Sequence, residues 1–103
     1  MRVLFKVEMD VKAGNAAARN GTMGKTVRSI LEEQKPEAAY FLASGGKRSG
    51  ILILDLADPS EIPAIAEPWF LAFNASIEVQ PVMTPEDLAK AVPAIERAAK
   101  KYG

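Results

Sequence analysis

The sequence holds no cysteine and no histidine, and each absence removes a class of chemistry. Without cysteine there is no disulfide framework, thiol nucleophile or thiolate metal site. Without histidine there is no Ser-His-Asp triad, no imidazole-ligated haem and no Cys/His zinc site. Neither sign of charge is in excess: 13 basic residues balance 13 acidic ones, so nothing points to nucleic acid or an anionic membrane as partner. No apolar run approaches the length that spans a bilayer. The opening MRVLFKVEMD interleaves charged and apolar residues and does not build a secretory signal, so a cytoplasmic setting is expected. Any chemistry must come from carboxylates, Lys, Arg, Tyr, hydroxyls or backbone amides, and neither a cofactor nor a metal is expected.

What is present is an ordinary globular mixture: 49% apolar and 25% charged residues over 103 positions, long enough for one domain spanning 1–103 with one core. RVLFKVEM alternates, with Val3, Phe5, Val7 and Met9 on one face, and reads as a half-buried strand. After an expected turn at Gly14, Met23, Val27, Ile30 and Leu31 share a helical face that Pro36 closes. Gly21 and Gly24 weaken the first half of that helix, which predicts a late or broken start. EAAYFLAS and GILILDLA read as two strands joined by a GGKRS hairpin connection with a basic tip. DPSE carries the N-cap pattern of Asp58, Pro59 and Glu61, while Pro63 and Pro68 predict a kinked helix or two short pieces. ASIEVQPV is the fourth strand. TPED caps a last helix with a Leu88, Ala91, Val92, Ile95 and Ala99 stripe.

This order predicts an α+β, ferredoxin-like βαββαβ domain with a four-stranded antiparallel sheet plus a C-terminal helix. Strands two and three are apolar on both faces, the pattern of strands covered on both sides. One helical layer covers only one face, so a homodimer packed sheet to sheet is expected, with the C-terminal helix as the other available cover. Lys6, Glu8, Glu78 and Gln80 are expected to form a polar cross-strand cluster at that dimer face. In element order, length and doubly apolar strands the chain resembles the dimeric α+β-barrel superfamily, which includes muconolactone isomerases and antibiotic-biosynthesis monooxygenases. Haem-degrading members of that superfamily use a histidine with Asn and Trp. This chain has Asn74 and Trp69 but no histidine.

The residues that bear on function are few. GTMGKT, at 21–26, has Arg19 where a phosphate-binding loop needs its first glycine, which removes that reading. AEPWFLAFN places Ile62, Ile65, Ala66, Trp69 and Phe73 on one helical face, with Leu71 roughly opposite. Such a stripe is core first. A break at Pro68 would nevertheless free carbonyls near Ala64 and open a gap that Trp69, Phe73 and Asn74 would line. Asp55, inside an apolar strand, and Glu67, beside Trp69, are the candidate acids or bases, each with a raised pKa if desolvated; the plainer readings are that Asp55 pairs with Lys or Arg or caps backbone near its strand's end, and that Glu67 is solvated. Tyr40 is the candidate hydroxyl, and Lys25 or Arg28 the anchor for an anionic group. Lys47 and Arg48 make a basic hairpin tip that could hold a carboxylate or phosphate, although such tips are usually just solvated. The functional expectation is a small organic ligand bound between helices and sheet, with proton transfer of the isomerase or monooxygenase kind. The alternative is a non-catalytic sensor or dimeric accessory protein with no pocket.

Overall fold

The computed structural model describes residues 1–103. Its elements are β1 Arg2–Glu8, α1 Val11–Arg19, α2 Met23–Gln34, β2 Ala38–Ser44, β3 Lys47–Asp55, α3 Ile62–Phe73, β4 Ser76–Pro81 and α4 Pro85–Tyr102. The strands form one antiparallel sheet in the order β2-β3-β1-β4. This is an α+β fold with ferredoxin-like strand order. It departs from a strict βαββαβ in that the first crossover carries two helices and α4 follows the last strand.

The helix break falls where the glycines predicted it, but the start does not. Gly14 is no turn: Asp10 caps α1 by accepting from the Ala13 amide at 2.9 Å, and Gly14 lies buried inside the helix. A Cβ at Gly14 would come within 3.0 Å of Arg48 Nη1, so the missing side chain makes room for an arginine from the sheet. The chain then turns at Gly21, with φ 75°, while Asn20 Oδ1 accepts from both the amide and the hydroxyl of Thr22. The connection between β2 and β3 is also tighter than the sequence suggests. Only Gly45 and Gly46 form it, at φ 60° and 76°, the positive pair that a two-residue hairpin requires. Lys47 and Arg48 therefore belong to β3 rather than to a loop tip.

Register sorts the side chains. Val3, Phe5, Val7, Leu52, Leu54 and Leu56 point to the helices and meet Ala17, Ile30, Trp69 and Phe73 in one core. On the other face Lys6 stands opposite Ile51 and Glu78, and its Nζ lies 3.4 Å from Glu8 Oε1. Asp58 and Glu61 cap reciprocally, as the DPSE pattern predicted, but they close a 3-10 turn over Pro59–Glu61 that leads into α3. Pro63 sits in the first turn of α3, and the helix continues through Pro68 to Asn74, which ends it at φ 49°. Thr84 and Asp87 form a second reciprocal cap at the start of α4.

α4 does not cover its own sheet. None of its residues is buried, no helix or strand of the chain packs along it, and it stretches the molecule to 59 Å against 28 and 20 Å across. No helix is long and apolar enough to cross a membrane.

Candidate functional site

Trp69 is core. It is 1% exposed, stacks on Phe73 with centroids 6.1 Å apart, and donates its indole N–H to Gln34 Oε1 at 3.3 Å. Gln34 Nε2 in turn donates to the Ile65 carbonyl at 2.9 Å. That carbonyl is next to Ala64, whose helical acceptor role Pro68 leaves unfilled. Where a gap beneath the proline was expected, Trp69 and Phe73 are fully buried in the core cluster. Neither of the two main clefts is lined by Trp69, Phe73 or Asn74.

The candidate catalytic residues lie apart. Asp55 ends β3 in solvent, 2.9 Å from the Met1 ammonium. That hydrogen bond, the ammonium charge and nearby Arg2 hold its carboxyl below the usual range, the reverse of the raised value expected from an apolar strand. Tyr40 is 67% exposed and points away from the helices, opposite Ile51. Glu67 is exposed on α3. None of the three lines either main cleft, and no group of three or more Asp or Glu converges as a metal site.

The larger of the two main clefts lies elsewhere. Ala39, Phe41 and Ala43 of β2 alternate toward the helices, in register with Leu52, Gly50 and Arg48. Yet β2, an edge strand, has no buried residue, because the helical layer stops short of it. Between α2 and this bare edge opens a cleft of about 800 Å³. Met9, Met23, Val27, Leu31 and Phe41 give it apolar walls, and the Phe41 ring lies flush on Gly50, where a Cβ would meet it at 3.1 Å.

Its charged lining is Arg28, Glu32 and Arg48. Arg48 crosses Gly14 and donates from Nη1 to Asn15 Oδ1 at 2.9 Å, which fixes it at the end of the cleft. Arg28 takes part in none of the three ion pairs of the chain, so its guanidinium is free at the rim. Lys25, three residues earlier, is exposed and outside the lining. Of the candidate site residues, only Arg28 and the hairpin's Arg48 reach this cleft. Met9, Met23, Val27 and Leu31 read from sequence as core-facing, and Phe41 and Glu32 are not singled out. AAYFLA is apolar on both faces, so its pattern does not say that Phe41 stands uncovered beyond α2.

A four-stranded antiparallel sheet, helices on one face and a protruding last helix define a small α+β domain. Within that class the chain belongs to the family described as Domain of unknown function (DUF3303), whose model matches residues 3–96. No curated protein matches the sequence. Among solved structures it is similar to "De novo designed protein Ferredog-Diesel", with 9% identity and a TM-score of 0.45 over 79% of this chain and 85% of that one.

Proposed function

We propose that the protein binds a small amphipathic organic acid in the cleft between α2 and the β2 edge, as a binding module rather than a catalyst. The observation that carries this reading is an apolar cleft of about 800 Å³ with Arg28 unpaired at its rim and Arg48 held at its end. That volume lies within the roughly 300–1,000 Å³ typical of small-molecule sites. Methionine and phenylalanine walls suit an aliphatic or aromatic body, and methionine adapts to its shape. A guanidinium pairs with a carboxylate through two parallel hydrogen bonds, which orients the acid head at the rim.

Proton transfer finds no support in this arrangement, because Tyr40, Asp55 and Glu67 all stand away from the cleft. The test is calorimetric titration of the full chain with decanoate and with an aromatic carboxylate, beside native mass spectrometry of the purified protein. Saturable binding that weakens in Arg28→Glu is the expected result. Absence of binding, or binding indifferent to Arg28, overturns the reading.

A further inference from the structure

Two apolar surfaces of this chain have no partner within it. The first is the sheet face turned away from the helices, where Leu4, Tyr40, Leu42, Ile51 and Ile53 line up on β1, β2 and β3. The second is the stripe of Leu88, Val92 and Ile95 along α4, with Ile95 54% exposed. α4 leaves the body beside Arg2, whose carbonyl accepts from the Val82 amide at 3.1 Å, and nothing in the chain packs against its length. We infer that these two surfaces belong together across a two-fold axis: α4 of each copy lies over the exposed sheet face of a second copy.

Area and length both favour a second copy of this chain as the occupant. A compact monomer of 11.1 kDa exposes about 5,700 Å² by the size scaling of folded proteins. This chain exposes 6999 Å². The excess, on the order of 1,300 Å², exceeds the roughly 800 Å² per partner that a stable interface removes from water. The radius of gyration agrees: 17.3 Å, against about 13 Å for a compact chain of this length. An 18-residue helix is about 27 Å long, and four strands at about 4.8 Å spacing are narrower than that, so one α4 crosses the whole sheet. The two surfaces are complementary in kind, and each chain carries both, as an isologous dimer requires. The same face also carries the Lys6–Glu8 pair and Glu78, on β1 and β4.

Sedimentation equilibrium of the full chain tests this without any ligand, so its outcome is separate from that of the cleft. A dimer is expected, and Ile95→Glu and Ile53→Glu should each weaken it by roughly 30-fold or more, the effect of disrupting a buried anchor. Neither side chain belongs to the protomer core, so circular dichroism should remain that of the wild type. A monomeric wild type, or a dimer indifferent to either glutamate, overturns the proposal.

Discussion

Gln34 joins α2 to α3 through both ends of its amide, accepting from Trp69 Nε1 at 3.3 Å and donating to the Ile65 carbonyl at 2.9 Å. A single side chain thereby supplies the buried indole with its acceptor and ties α2 to the backbone of α3. Gln34→Leu removes both bonds and keeps the volume. It should cost about 1–3 kcal/mol, the penalty for stranding polar groups away from water. Urea denaturation followed by the fluorescence of the only tryptophan measures it directly.

Trp69 itself should be worth more. It is among the largest fully buried side chains and stacks on Phe73. Trp69→Ala should therefore lose about 3–5 kcal/mol, as large core truncations do. Affinity for an organic acid should not change in the folded fraction, since Trp69 does not line the cleft. A variant with near-native stability and weakened binding would place the ligand under α3 instead.

Much of this fold was legible because its signals are local. Alternation gave the buried face of β1, and the DPSE and TPED patterns marked the caps at Asp58 and Thr84. Gly21 and Gly24 signalled a weak helix start through low helix propensity, and the break falls at Gly21, which takes φ 75°. Long-range effects were not legible. Gly14 reads as a turn until Arg48, 34 positions away, is seen to need its space. Asp55 reads as paired with a basic group near its strand's end, but only strand pairing shows that the partner is the Met1 ammonium. The cleft depends on how far α2 reaches across the sheet, and no pattern within one element encodes that.

The start of α4 should be sensitive to acid in a definite direction. Asp87 accepts from the Thr84 amide, and that bond, with the Thr84 side chain and nearby Lys90 and Arg2, lowers its pKa. A carboxyl with a lowered folded pKa stabilises the fold above its unfolded value of about 3.9, and loses that contribution as pH falls through the folded pKa. Side-chain NMR should give an Asp87 midpoint below that of an unstructured peptide. The amide protection of the first turn of α4 should fade over the same acidic range. In Asp87→Ala that pH dependence should vanish, leaving the turn unprotected at neutral pH as well.

Arg28 and Lys25 lie three residues apart on α2 and carry the same charge, yet only Arg28 lines the cleft. This pair separates specific recognition from general attraction. Arg28→Gln should weaken binding of an organic carboxylate by about 10-fold, the lower range for a charged hydrogen bond at an exposed rim. Lys25→Gln should change it only slightly, and any effect should disappear as added salt screens the surface. Glu32, the one carboxylate in the lining, repels an acid, so Glu32→Gln should tighten binding modestly. Equal losses at Arg28 and Lys25 would mean that the helix surface attracts anions without a defined seat for one. Gly50→Val offers an independent check on the apolar wall. A side chain there would displace the Phe41 ring from its 3.1 Å approach and push it into the cleft. Binding should then fall even though both arginines are untouched, a result that charge alone does not produce.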